Sequence, residues 1–388
     1  MKKKVFFCAT VDYHFKAFHL PYLKWFKDQG WEVHVAASGK MMLPYVDKKY
    51  NIPIQRSPFS MKNIIAYKEL KNIIDQNKYQ IIHCHTPMGG VLARLAARFS
   101  RNNGTKLIYT AHGFHFCKGA PILNWFLYYP IEKMLAKYTD CLITINEEDN
   151  NLANKKNFKA QTIKHVHGVG VNTDLFFPVK TFHKSILRTE YGYNDEDFLM
   201  FYAAEFNKNK NQQLLIKSLA RIKDEIPYSK LLVAGDGPLL EECKQLAIKL
   251  GVIEKVDFLG YRTDIVTLLK ISDVAVASSL REGLPVNILE AMSCGLPIIA
   301  SVNRGHSELV KNGLNGYIVP PNDIHQFSSR LIELFHSREL LTQMGIESQK
   351  IVKGYSLARV GLELSEIYSG YIVGEEHETK SKYSSAYL

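Results

Sequence analysis

Val274-Ala275-Val276-Ala277, then Arg281-Glu282-Gly283-Leu284-Pro285-Val286-Asn287-Ile288-Leu289-Glu290-Ala291-Met292-Ser293-Cys294-Gly295-Leu296-Pro297, then Ile298-Ile299-Ala300 read as strand, loop, helix and strand. Pro285 suits the first helical position, where its missing N–H costs nothing, and Gly295 suits the position just past the end. Short apolar runs alternating with amphipathic segments are the pattern of βαβ units and a parallel sheet.

The same alternation extends in both directions. Upstream, Leu199–Ala203, Leu231–Ala234 and Val256–Leu259 read as strands of the same unit. A second series precedes it, with strands at Val5–Ala9, Val33–Ala37, Ile81–Cys84, Leu107–Thr110, Cys141–Ile145 and Ile163–Val166, and helical stretches such as Ile64–Ile74, Val91–Phe99 and Ile131–Lys137. Two tandem Rossmann-like, doubly wound domains follow, over 1–175 and 198–354, joined by a linker over 176–197. A C-terminal helix over 355–372, free to cross back to the first domain, and a polar, disordered tail over 373–388 complete the organisation. Ligands of such sheets lie at the carboxyl ends of the strands, here in the cleft where the two domains would face each other.

Bulk properties narrow the class. The 388 residues suffice for two cores, and 46% hydrophobic with 22% charged residues is ordinary globular composition. No apolar run approaches the ~20 residues that cross a bilayer. Asp12 and His14 end the apolar start too early for a signal peptide, so Val5–Ala9 reads as a first strand. Six scattered cysteines without a Cys-x-x-Cys pair indicate reduced thiols and a cytoplasmic protein. Charge is uneven: residues 1–175 hold 25 Lys and Arg against 12 Asp and Glu, whereas residues 176–388 hold 24 against 26. An anionic surface or ligand is therefore expected for the first half alone; no recognition motif points to nucleic acid.

Around Arg281–Pro297, free N–H groups at the helix start make a phosphate site, and Gly283 permits close approach of a ligand. Glu282 in the loop and Glu290 more than a turn inside do not share a face. Each carboxylate suits the paired hydroxyls of a sugar. Alternatively, Glu282 favours the helix dipole and Glu290 is a solvated surface residue.

This segment resembles the Glu-x7-Glu signature of the retaining family-4 glycosyltransferases, which have the two-domain GT-B fold. The resemblance runs to about residue 372 and includes Tyr109-Thr110-Ala111-His112-Gly113, His167-Gly168-Val169-Gly170-Val171-Asn172, Gly235-Asp236-Gly237-Pro238, Phe258-Leu259-Gly260 and Asn315-Gly316-Tyr317-Ile318-Val319-Pro320-Pro321. It implies that Glu290 holds the ribose diol, while Glu282 with the Gly283–Leu284 backbone contacts the donor sugar and pyrophosphate. Gly260 would flank the nucleobase and His112 would contact the donor sugar. The family neutralises the diphosphate with a lysine, here Lys210, and an arginine a few residues earlier. This sequence departs from that pattern, with Glu205 in the arginine's place and Lys208 as the candidate substitute. The plainer reading leaves Lys208 and Lys210 on a solvated helix start.

Fourteen histidines raise the question of a metal, but no His-Glu-x-x-His or comparable spacing occurs. His83 and His115 read as structural; His19 lines the acceptor side or packs in the core. Asp195-Glu196-Asp197 has Asp-x-Asp spacing but reads as a solvated turn. With Lys210 and a helix start holding the diphosphate, neither metal nor other cofactor is expected.

The implied reaction is hexosyl or N-acetylhexosaminyl transfer from a UDP-sugar to a hydroxyl, with retained configuration. The resemblance is strongest to bacterial exopolysaccharide and capsule transferases, in Phe18-His19-Leu20-Pro21-Tyr22 and Lys208-Asn209-Lys210-Asn211-Gln212, and implies a polyprenyl-diphosphate-linked acceptor. A UDP-sugar 2-epimerase of related fold would need acidic groups in the first domain's cleft, where few occur; a non-catalytic binder would be expected to lack Glu282 or His112. Finally, the basic first domain and Pro121-Ile122-Leu123-Asn124-Trp125-Phe126-Leu127-Tyr128-Tyr129 suggest docking on the anionic inner face of the cell membrane. The alternative is a core helix carrying Trp125, Phe126 and Leu127.

Overall fold

Apolar, β-branched and aromatic runs form the strands, and the strands order two sheets. The computed structural model describes residues 2–384, with side chains to 372. Contacts divide the chain into two units, one of residues up to Val169 together with the chain from Ala358 on, the other of Gly170–Leu357.

In the first unit, β1 (Lys4–Val11), β2 (Glu32–Ser38), β3 (Lys48–Asn51), β4 (Ile81–His85), β5 (Lys106–Ala111), β6 (Cys141–Thr144) and β7 (Thr162–His165) form one parallel sheet in the order β3-β2-β1-β4-β5-β6-β7. Its helices are α1 (Tyr13–Phe18), α2 (Leu20–Asp28), α3 (Lys62–Asn77), α4 (Pro87–Ala97), α5 (Ile122–Ala136) and α6 (Glu147–Lys155). Two cores lie on this sheet: one includes Phe6, Leu70, Leu92, Leu107 and Phe116, the other Val5, Phe7, Phe26, Val33 and Ile143. Alternate residues of β1 serve the two cores, as the two-residue period of a strand requires.

Strand order reverses between β1 and β4, and α4 starts there. A Cβ on Gly89 would stand 2.8 Å from Ala9 Cα and one on Gly90 2.3 Å from the Tyr109 ring, so only glycine lets the helix start this close to the sheet. Further along α4, buried Arg94 donates to Glu132 of α5 at 2.7 Å and stacks on Tyr109 at 3.8 Å, which pins α5 over the sheet.

The second unit repeats the plan. Strands β8 (Phe198–Ala203), β9 (Ser229–Ala234), β10 (Val256–Gly260), β11 (Val274–Ala277), β12 (Ile298–Ser301) and β13 (Gly316–Val319) pair in parallel in the order β10-β9-β8-β11-β12-β13. Helices α7 (Thr181–Glu190), α8 (Gln212–Ile222), α9 (Leu240–Lys249), α10 (Ile265–Ile271), α11 (Val286–Ser293), α12 (Arg304–Leu309), α13 (Ile324–His336) and α14 (Arg338–Val352) accompany it. The architecture is the double Rossmann-like arrangement expected from the alternation.

Two expectations need correction. The 176–197 stretch is not an open linker. It carries α7, whose buried Arg188 donates to the Ile271 carbonyl and to Asp273, and the Asp195 and Asp197 carbonyls turn back onto the same guanidinium. Nor does helix end at 372: α15 (Leu357–Ser384) returns to the first unit, seating Val360, Leu364 and Tyr368 in its core, and its backbone continues through most of the supposed tail. Residues 385–388 of that tail lie outside the described residues.

Candidate active site

In the second unit, strand order reverses between β8 and β11, the place where open parallel sheets bind ligands. Two segments leave the carboxyl ends of these strands, Ala204–Asn211 towards α8 and Ser278–Pro285 towards α11. They are laced together: Leu280 N donates to Asn209 O at 2.8 Å, Asn209 Nδ2 to Arg281 O at 2.9 Å, and Ser278 Oγ to Lys210 O at 2.7 Å. This lacing brings Lys210 Nζ to 2.6 Å from Glu282 Oε1, both largely shielded from solvent. Arg304 Nε donates to the Glu282 carbonyl at 2.9 Å, and a Cβ on the neighbouring Gly305 would meet Gly283 O at 2.8 Å. The loop carrying Glu282 and Gly283 is therefore fixed from below by α12.

Helix α11 starts directly after this loop, with Pro285 just before its first residue and Gly295, at φ +77°, just past its end. Its N-terminal N–H groups and the Lys210 ammonium form one electropositive end for an anion. Leu284 is buried and Gly283 half-buried beside it. Asn287 Nδ2 donates to Ala203 O at 3.1 Å and ties α11 to the end of β8. Glu290 borders a small gap lined by Tyr202, Ile265 and Leu269. No donor among the described residues reaches its carboxylate, and burial pushes that carboxyl up to about 7. A half-buried acid left this way invites a ligand that brings hydroxyl donors.

Gly260 closes β10 at φ +64°, and its carbonyl accepts from Gly235 N at 2.7 Å. The Gly235–Gly237 turn in turn holds the β8 segment, since Phe206 N donates to Asp236 O at 2.8 Å. Lys210, Glu282, Gly283 and Leu284 thus gather at the start of α11, with Glu290 a turn further along the same helix and Gly260 linked through the β9 turn. Lys208 points elsewhere: it is exposed and faces a depression of about 200 Å³ beside Gln213 and Glu242. Glu205 accepts from Asn207 Nδ2 at 3.1 Å.

The first unit has its own switch point, between β1 and β4, and there His112 lies with His19, already weighed in the sequence, and with His14 and His85, which spacing did not group with it. His19 Nε2 is 3.0 Å from His14 Nε2, His85 Nδ1 is 3.2 Å from His112 Nε2, and the facing nitrogens of all four fall within 4.8 Å. Burial holds all four imidazoles below their usual pKa, His14 at about 4, so the cluster is neutral at pH 7. Four neutral imidazoles this close are candidate metal donors, although the widest pair exceeds the ~3.4 Å edge of a tetrahedral zinc site and would have to close in. Spacing could not reveal them because they come from three separate segments. His83 is structural, with Nδ1 2.8 Å from Tyr368 Oη and Nε2 2.8 Å from Thr110 Oγ1. His112 also borders a pocket of about 150 Å³ with Tyr109, His115 and Tyr128.

Residues 4–146 match the family model Glycosyl transferase 4-like, and residues 183–351 match Glycosyl transferases group 1. The chain is 51% identical over 382 residues to the protein named "Putative glycosyltransferase EpsD" of Bacillus subtilis (strain 168), covering 98% of this chain and 100% of that one. It belongs to the family-4 glycosyltransferases of GT-B type. Among other members of this family, an Escherichia coli UDP-Gal:alpha-D-GlcNAc-diphosphoundecaprenol alpha-1,3-galactosyltransferase is 29% identical, over 82% of this chain and 84% of its own length. In fold, the glycosyltransferase chain matches Anabaena Alr3699/HepE in complex with UDP and glucose at a TM-score of 0.77, with 19% identity over 95% of this chain and 100% of that one.

Proposed function

We propose that this glycosyltransferase moves a hexose or N-acetylhexosamine from a UDP-sugar to a hydroxyl of a polyprenyl-diphosphate-linked glycan, in the synthesis of a bacterial surface polysaccharide. The observation that carries the donor assignment is the Lys210–Glu282 pair at the α11 start together with an unpartnered, half-buried Glu290 a turn further along that helix. One end of that arrangement fits a diphosphate and the other a ribose diol. The UDP complex of the HepE fold relative and the lipid-linked acceptor named for the Escherichia coli relative support the same reading.

The chemistry is substitution at the anomeric carbon. The bond to the β-phosphate oxygen breaks, a bond to the acceptor oxygen forms on the same face, and the acceptor proton passes to the departing phosphate. Lys210 and the helix start stabilise the charge that develops on that phosphate, which leaves metal without a role in departure. His112, neutral at pH 7, is suited to hold a sugar hydroxyl.

No helix of the described residues is long and apolar enough to cross a membrane. Docking on an anionic surface is supported by α5: Trp125 packs against the core, whereas Ile122, Leu123 and Phe126 are about three-quarters exposed. The core-helix reading thus holds for Trp125 and not for Phe126, whose exposed face supports docking.

A panel of nucleotide sugars with a lipid-linked acceptor, run with and without excess chelator, tests the proposal. A UDP-sugar should be turned over in both. Activity confined to another nucleotide, or abolished by chelator and restored by manganese, would overturn the donor or the metal-free account respectively.

A further inference from the structure

Between α3, α4, α5 and the 56–61 loop, the first unit encloses a cavity of about 930 Å³. That is near the top of the range of ~300–1,000 Å³ for small-molecule sites. Val91, Leu92 and Leu95 of α4, Ile64 of α3, and Leu127 and Ile131 of α5 supply walls of hydrocarbon. A free sugar or nucleotide would find few hydrogen-bonding partners on such walls, and burying its hydroxyls there would be costly.

The lining also carries two cations. Arg56 and Arg98 line the cavity, and neither has an ion-pair partner among the described residues. The acidic group on the wall, Glu132, is already held by Arg94 at 2.7 Å. The occupant should therefore be a long apolar chain with an anionic head.

Position sets the rest. Pro87, His115, Tyr128 and Glu132 border both this cavity and the smaller pocket containing His112, while His14 of the histidine cluster also reaches the cavity wall. A molecule in the cavity thus has one end beside the residue assigned to the transferred sugar. At the rim, Phe59 and Met61 are more than 70% exposed, as suits a mouth opening towards lipid.

We infer that this cavity seats the isoprenoid chain of the acceptor, with its diphosphate on Arg56 and Arg98 and its glycan directed to the His112 pocket. The inference rests on the lipid-linked acceptor proposed above and adds where the lipid is held.

The test compares acceptors with the same glycan and diphosphate on a methyl group, a farnesyl chain or a full-length polyprenol, using the full chain and its Leu95→Trp and Arg56→Gln/Arg98→Gln variants. Wild type should favour the isoprenoid acceptors. Leu95→Trp fills the cavity and should cut kcat/KM on them roughly tenfold or more, with methyl-acceptor turnover, UDP affinity and Tm unchanged. The double arginine variant should raise KM for every diphosphate acceptor. Farnesyl diphosphate binding, followed by calorimetry without donor, should weaken in both variants.

If wild type prefers the chain but Leu95→Trp folds and keeps that preference, the cavity assignment fails while the lipid-linked reading stands. Equal use of all three acceptors by wild type would overturn both. Farnesol binding as tightly as farnesyl diphosphate would remove the two arginines from the site.

Discussion

With Glu290 on the ribose diol, as proposed, donor binding becomes a proton-linked event. Burial holds the Glu290 carboxyl at about 7, so at pH 6 about one molecule in eleven carries the carboxylate and at pH 8 about ten in eleven do. Ribose hydroxyls donating to the carboxylate favour the charged form and return the pKa towards the ordinary 4.5. A UDP-sugar should therefore bind about tenfold more tightly at pH 8 than at pH 6, about 1.4 kcal/mol. The sugar nucleotide is the ligand to use, because its doubly esterified diphosphate does not itself titrate there. Calorimetry in buffers of different ionisation enthalpy should show about half a proton released per binding event at pH 7. Glu290→Gln should bind more weakly at pH 8, with a flat pH profile and no proton release. The same raised pKa lowers fold stability above pH 7 and carries no cost below pH 4.5, where the acid is protonated in both states. Glu290→Gln should thus raise Tm at pH 8, by up to about 3 kcal/mol in stability, and leave it unchanged near pH 4. Wild-type affinity that is constant from pH 6 to 8, or protons taken up on binding, would refute the argument.

Lys210→Ala should lower kcat/KM by about 10²-fold or more and weaken UDP, whereas Glu282→Gln should lower turnover by a similar factor with less effect on UDP affinity; steady-state kinetics with UDP inhibition separates the two. Arg94→Met leaves Glu132 buried without its cation and should cost about 3–5 kcal/mol in a urea titration, much of it recovered by adding Glu132→Gln. The chain should sediment with anionic vesicles at low salt, less so as salt rises, and hardly with neutral ones. Leu123→Asp/Phe126→Asp should reduce that binding with no change in UDP affinity, and equal binding to both vesicle types would argue against the charge account.

The sheets were legible because their interior strands are apolar on both faces. Two strands escaped. β3 is Lys48-Lys49-Tyr50-Asn51, an edge strand paired on one side, so half its groups meet water and its composition is that of a loop. β13 is short and begins at Gly316, where a side chain would meet the Ile298 carbonyl at 1.9 Å, and glycine reads as turn. Helix α7 was hidden by inversion: Phe182 and Ile186 are exposed while Arg188 is buried. In the site, the α11 residues lie close in sequence and could be read together, and Lys210 through the family pattern. Convergence of His14 and His85 on His112 depends on neighbouring strands rather than on spacing.

Helix α15 also imposes an order of assembly. The first unit is made from two separated parts of the chain, while Gly170–Leu357 is continuous. During synthesis the strands of the first unit emerge first, yet its core lacks Val360, Leu364 and Tyr368, and His83 lacks the hydroxyl that binds its Nδ1. The second unit, made later, has all its parts sooner and can complete its core first. Until the final helix is translated, a basic half-domain with an uncovered apolar face waits for its last segment. In that interval the exposed apolar face is open to aggregation.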